Sequence, residues 1–336
     1  MRFDLAGWTR ESTQGSPAEF FHLFERAEKL GFDGVWFSEF RVPDAAWPYP
    51  SPLLLAAALL ARTERLRVGT AVLVLPLHHP LILAEEIAQV DFQSQGRLDV
   101  GVGRGTEPES LETLNVAIDT TRQRFETSCR IIRAALSGET IVGTGGDPWQ
   151  FAPRKLMSPV VQRPHPPMYV AGSTTETLGF ALEHDLPLLL SLEPPETQQL
   201  DRIEQLAQLT KRDTAQVRSR STLARYVCIG SSRAEVKAQL ETLWVAWYAR
   251  RIYYAGKRGI APSDVPAIQI DKVLREQFIW GTPEDCFVQI QALKQNTGIA
   301  HLRVVFNANG LLSNATALDG MDLFAREVMP NLRPER

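Results

Sequence analysis

Cysteine is scarce in this chain of 336 residues. Cys129, Cys228 and Cys286 are odd in number and widely spaced. That excludes a disulfide framework and a Cys-x-x-Cys metal clip, and reads each thiol as a small buried hydrophobe, with no metal site expected. An excess of one charge is also missing. The formal net charge is -3, and no block of five like charges occurs, so there is no basic footprint for nucleic acid. Long apolar runs are absent too. "SPLLLAAALLA" (Ser51–Ala61) falls well short of the ~20 residues that a membrane span needs. Asp4 interrupts the apolar start "MRFDLAGW", which is therefore no signal peptide. The expectation is a cytoplasmic protein with neither a membrane nor a nucleic-acid partner.

What the chain does have is 44% hydrophobic residues, enough for a large core, and a regular beat of strands and helices. "RFDLAGW" (Arg2–Trp8), "DGVWFSE" (Asp33–Glu39) and "LRVGTAVLVLP" (Leu66–Pro76) read as strands. The helix after the first runs from Pro17 to Leu30 and is closed by Gly31; those after the second and third open at Pro52 and Pro80. The continuous apolar character of the third strand fits a parallel strand buried on both faces. The second half repeats the pattern through strands at Pro167–Ser173, Leu186–Leu192, Thr222–Gly230 and His301–Asn307. Eight such alternations predict a (β/α)8 barrel over residues 1–336 as one domain, because a doubly wound sheet usually stops at five or six strands. Insertions are expected after the fourth unit (Ser137–Pro166) and after the seventh (Ala255–Ile279).

The fourth strand runs into glycines: "GRLDVGVGRGTEPES" (Gly96–Ser110). A dinucleotide loop would need GxGxxG opening a helix directly. Here Gly101, Gly103 and Gly105 alternate, Thr106 takes the place of the last glycine, and Pro108 delays the helix. Crowding between strands accounts for Gly101 but not for Gly103-Arg104-Gly105. An arginine between two glycines at a strand's C-terminal end lets backbone approach a ligand while a cation meets its anion. Arg122 in "IDTTRQR" and the Gly-Ser-Thr-Thr end of "YVAGSTTET" (Tyr169–Thr177) read separately as a surface arginine and an ordinary N-cap. On one barrel face they read together as a phosphate grip.

Three blocks extend the reading. "AEKLGFDGVWFSE" (Ala27–Glu39), the stretch Ala71–Gly105 and "GTPEDCFVQIQALKQNTGIAHLRVVFNANG" (Gly281–Gly310) resemble bacterial luciferase and its relatives, the luciferase-like flavin monooxygenases, and the likeness covers nearly the whole chain. The resemblance implies a barrel that binds reduced FMN (FMNH2) at the strand C-termini. Arg104 and Arg122 would hold the phosphate, with Ser173, Thr174 and Thr177 donating from a helix end. Ala71–Val72 matches the family's non-prolyl cis peptide that supports one face of the flavin. Gly103 falls where luciferase has a cysteine near the flavin's reactive carbon, and would leave room there. The family's Glu-His-His is replaced by Glu39-Phe40-Arg41, which removes the usual imidazole; Arg41 either binds an anionic substrate or pairs with Glu39. His78, with Glu39, is the expected acid or base, while His79 caps the next helix with Pro80. Trp8, Phe37, Phe40 and Trp47 line either an apolar pocket or the barrel core or a dimer surface, Trp8 and Phe40 joining Arg41 as the expected substrate contacts.

The implied activity is a two-component monooxygenase. It would take FMNH2 from a separate flavin reductase, shield the flavin C4a-hydroperoxide, and oxygenate a small organic substrate with O2. The second insertion is shorter than luciferase's mobile lid, so light emission is not implied. The apolar helix around Leu53–Leu60 implies a homodimer or a pairing with a paralogue. Two rivals remain open: a deazaflavin (F420)-dependent hydride-transfer enzyme of the same superfamily, and a non-catalytic flavin-binding partner subunit.

Overall fold

The structure, a computed structural model, describes residues 1–8, 16–42, 48–105, 107–143, 148–192, 196–257 and 259–333. Trp47 and Thr106 lie outside them. The chain opens with β1 (Arg2–Leu5), α1 (Pro17–Lys29), β2 (Gly34–Phe37), α2 (Pro52–Leu60), β3 (Arg67–Thr70), β4 (Leu73–Val74) and α3 (Pro80–Gln93). There follow β5 (Leu98–Gly103), α4 (Pro108–Thr113), α5 (Thr121–Leu136), β6 (Thr140–Gly143), β7 (Phe151–Lys155), β8 (Met168–Ala171) and α6 (Thr175–Glu183). Next are β9 (Leu189–Leu190), α7 (Glu196–Leu209), α8 (Thr214–Arg220), β10 (Thr222–Ile229) and α9 (Arg233–Lys257). The chain closes with α10 (Ile270–Gln277), β11 (Phe278–Gly281), α11 (Pro283–Thr297), β12 (His301–Val305), α12 (Asn314–Glu327) and α13 (Met329–Leu332).

Parallel pairing runs β1–β2–β3–β5–β8 on one side and β1–β12–β10–β9 on the other. A parallel bridge between Val170 and Leu188 joins β8 to the approach of β9 and closes the ring. This is the (β/α)8 barrel, and every strand C-terminus therefore opens on one rim. The third strand is broken by a cis peptide between Ala71 and Val72, after which β4 resumes pairing with β5 at Leu73 and Val102. The stretch between α5 and β8 holds the antiparallel hairpin of β6 and β7. The stretch between α9 and β12 holds α10, β11 and α11, with β11 parallel to the C-terminal half of β10. No helix among the described residues is long and apolar enough to cross a membrane.

Local chemistry sets the helix starts. Ser51 precedes Pro52 and its hydroxyl accepts from the Leu54 N–H; His79 precedes Pro80 and its Nδ1 accepts from the Leu81 N–H. Thr282 and Asp285 form a reciprocal capping box on α11, which Gly298 closes in the left-handed region at φ 72.

The apolar strand faces pack outward against the helices, while the lower barrel interior is charged. Asp4 accepts from Arg2 (2.6 Å), the Trp36 indole (2.6 Å) and His301 (2.8 Å); Asp99 accepts from Arg2 (2.5 Å) and Arg67 (2.7 Å). Arg303 is buried over the Trp36 ring at 5.7 Å and donates to the Leu190 carbonyl. Burial pushes it down to about 10 against the attraction of Asp4 and Tyr169.

Candidate flavin cleft

Two hollows on the strand C-terminal rim share Ala71, Val72 and Gly105, and together make one cleft. The larger holds about 360 Å³ and the smaller about 250 Å³, the combined space being of ligand-pocket size. The larger part has a polar end and a flat end. Arg104, Ser173, Thr174 and Thr177 line the first; Ala71, Val72 and Gly103 line the second.

The polar end is built on the start of α6. Thr174 is its N-cap: the hydroxyl accepts from the Thr177 N–H and lies 3.1 Å from the Thr177 hydroxyl. A helix N-terminus with hydroxyls around it suits an anion. Arg104 reaches the same place from the end of β5. Arg122, at the start of α5, pairs with Glu126 at 3.1 Å on the exposed helix face and joins Arg104 in attracting the Glu176 carboxylate. Glu176 is the residue that sequence reasoning passed over. Its own N–H and the Thr174 hydroxyl hold it below the ordinary carboxylate value, with the two arginines adding attraction. An acid in the first turn of a helix reads as routine; only the fold brings it within electrostatic reach of both arginines.

At the flat end, Gly103 serves a close approach. A Cβ there would meet Val72 Cγ2 at 2.8 Å, so the space expected to be left open beside Gly103 is filled by the Val72 side chain. Gly105 has φ +81, and its Cβ would meet Val74 at 2.5 Å; a side chain is strained there on both counts. Thr70 pins β3 to β5 through the Gly101 N–H and carbonyl at 2.9 and 2.8 Å.

The smaller hollow opens on Glu39, Phe40 and Arg41. Glu39 is only 6% exposed and is held by three donors. His78 Nε2 lies 2.9 and 3.0 Å from its two oxygens, Arg41 Nε donates at 2.6 Å, and the Val74 N–H donates at 2.7 Å. Burial alone would raise this carboxyl. The His78 hydrogen bond and charge, the Arg41 charge and the Val74 N–H outweigh it and leave Glu39 below its ordinary value. Of the two roles open to Arg41, the structure has it paired with Glu39. His78 is brought to Glu39 but lines neither part of the cleft; its open side faces the groove between α2 and α3.

Trp8 is placed elsewhere. Its indole donates to Asn314 at 3.1 Å and its ring packs edge-on against Phe24, so it belongs to the core beneath the rim, as does Phe37 against Phe20 and Phe24.

Known proteins carry the same plan. The chain is 24% identical to the alkanal monooxygenase alpha chain of Photobacterium leiognathi over 96% of this chain and 95% of that one. The oxygenating constituent of 3,6-diketocamphane monooxygenase from Pseudomonas putida, a type II Baeyer–Villiger enzyme in complex with FMN, superposes with a TM-score of 0.73 at 19% identity, covering 100% of this chain and 99% of that one. An F420-dependent secondary alcohol dehydrogenase superposes with a TM-score of 0.75 at 17% identity over 99% of each chain. Those two structures share the fold and differ in cofactor, so the fold alone does not choose between FMN and F420. The model of the luciferase-like monooxygenases matches residues 2–301, and the chain belongs to that family.

Proposed function

We propose that this chain is an FMNH2-dependent monooxygenase that oxygenates a small organic substrate and receives its flavin from a separate reductase. The observation that carries the reading is the cleft's asymmetry. Its polar end at Arg104 and the α6 hydroxyls fits one compact phosphate, and its flat end at Ala71–Val72 and Gly103 fits a ring laid against backbone. Bound reduced flavin would supply the activation of O2. The protein's share is positioning, exclusion of water and one fixed charge. Arg104 and Arg122 would hold the phosphate with Ser173, Thr174 and Thr177; Ala71, Val72 and Gly103 would set the ring's height.

Glu39, ionised and buried behind the wall of the smaller hollow, would be a fixed negative charge that holds Arg41 in place. His78, hydrogen-bonded behind it, would hold its orientation and charge. Phe40 and Arg41 would shape the wall on that side.

Anaerobic titration with photoreduced FMN, riboflavin and F420 tests the cofactor assignment. Reduced FMN is expected to bind at least about tenfold more tightly than reduced riboflavin, with Arg104→Ala removing the difference. Equal affinity for the two flavins, or binding of F420 alone, would sink the proposal.

A further inference from the structure

Inward side chains of a barrel fall in layers of four, drawn from alternate strands. Followed around the ring, the strand register puts Trp36, Gly101, Leu189 and Arg303 in one layer, and Ala6, Ala71, Ala171 and Ala224 in the layer above. Contacts agree with the lower layer. The Arg303 guanidinium lies 5.7 Å over the Trp36 ring, and a Cβ on Gly101 would stand 3.2 Å from Leu189 Cδ2. Leu189 of that layer, with Ala71 and Ala171 of the next, lines the larger hollow of the flavin cleft. The floor of the hollow is therefore one layer of methyl groups above Arg303.

Beneath this floor the other charges are matched. Arg2 donates to both Asp4 and Asp99, Arg67 donates to Asp99, and the Trp36 indole and His301 complete the shell of Asp4. Two carboxylates thus answer two guanidiniums, and Arg303 is a third. Its Nη2 donates to the neutral Leu190 carbonyl, its Nε has no hydrogen-bond partner among the described residues, and Asp4 and Tyr169 attract it only through space. Lowered to about 10 by burial, it is still protonated at neutral pH. The alanines above carry no polar side-chain atom, so a ring resting on them meets this charge across a medium that screens it poorly. The oxidised flavin ring is neutral. Reduced flavin loses its N1 proton near neutrality and then carries a negative charge in the ring itself.

We infer that Arg303 acts through space on the cleft, favouring the anionic reduced flavin over the neutral oxidised one, and so biases the protein toward loading the reduced cofactor. This rests on the flavin reading above.

Flavin affinity in the two oxidation states tests it, by tryptophan-fluorescence titration with oxidised FMN and, under anaerobic conditions, with photoreduced FMN. Wild-type protein is expected to bind the reduced form at least about tenfold more tightly, the effect of a unit charge roughly one side-chain layer below a ring in a protein interior. Arg303→Met has similar volume and no charge; it should melt as a folded protein and lose most of that ratio. Arg303→Lys should keep it. Arg104→Ala should weaken both oxidation states alike, because the phosphate charge does not change with reduction. Wild-type protein with equal affinity for both forms overturns the inference without any variant, as does an Arg303→Met protein that keeps the wild-type ratio. Failure to bind FMN in either state defeats the flavin reading and this inference with it.

Discussion

Replacing Glu39 by Gln changes almost no volume and removes one buried charge that three donors share. The carboxylate loses its charge-assisted bonds to Arg41 and His78, each of a kind worth about 1.5–3 kcal/mol. Two things soften the loss. Arg41 keeps 30% of its side chain in contact with solvent and can rehydrate, and the Gln carbonyl can still accept from the Val74 N–H. A net cost of about 2 kcal/mol follows, below the 3–5 kcal/mol for stranding a fully buried charge. At about 2.1 cal/mol/K per residue, a chain of this length unfolds with roughly 0.7 kcal/mol/K, so the melting temperature should fall by about 3 °C. The sign with pH is fixed by the direction of the shift. The folded-state value of Glu39 lies below its ordinary 4.5, so its contribution is complete above that pH and is lost as pH falls through the lower folded value. Calorimetric scans of both proteins from pH 7 downward should show the gap at neutrality closing in acid. Identical melting at pH 7, or a gap that persists unchanged in acid, would refute the ion-pair account.

Three further outcomes are expected. Gly103→Ala should lose most flavin affinity in a fluorescence titration while melting as a folded protein, because its Cβ would press on Val72 at 2.8 Å and displace the ring support. Glu176→Gln should tighten FMN binding by about two- to fivefold in low salt, the gain shrinking as salt screens an exposed carboxylate; unchanged affinity would mean that Glu176 does not face the phosphate. Leu54 and Ile82, 75% and 57% exposed on neighbouring α2 and α3, support a homodimer across this face. Leu54→Glu should then convert a dimer to a monomer in light scattering, and a wild-type monomer would rule the interface out.

The barrel was legible because its signals are local. Prolines at the first turns of α1, α2, α3 and α11 and the buried run of β10 each report a βα unit without tertiary information. Some elements were not. The hairpin of β6 and β7 is mostly exposed and carries a proline within "FAPRK", so it has no apolar alternation to read. The interior placement of Asp4, Asp99 and Arg303 was not legible either. A polar residue alternating with apolar ones reads as facing water, whereas here the apolar faces meet the helices and the charges point into the barrel. At the site, the sequence left Arg41 with two roles, and only the 2.6 Å geometry to Glu39 assigned one. Trp8 was ambiguous for the same reason, since a large aromatic at a strand end suits rim and core alike.

The charges along the rim have different surroundings, and that difference separates binding from chemistry. Glu39 sits among three donors and is held ionised below its ordinary value, so at neutral pH it has no proton to give and acts as a fixed charge. Glu176 lies exposed at a helix start, where an incoming phosphate would compete with it for the same N–H, hydroxyl and arginines. A carboxylate that a phosphate can displace suits an exchangeable ligand, as the flavin of the proposed two-component enzyme would be. A carboxylate locked to His78 and Arg41 marks a fixed charge. If both assignments hold, neutralising Glu176 should change flavin affinity with little effect on turnover at saturating flavin, and neutralising Glu39 should do the reverse.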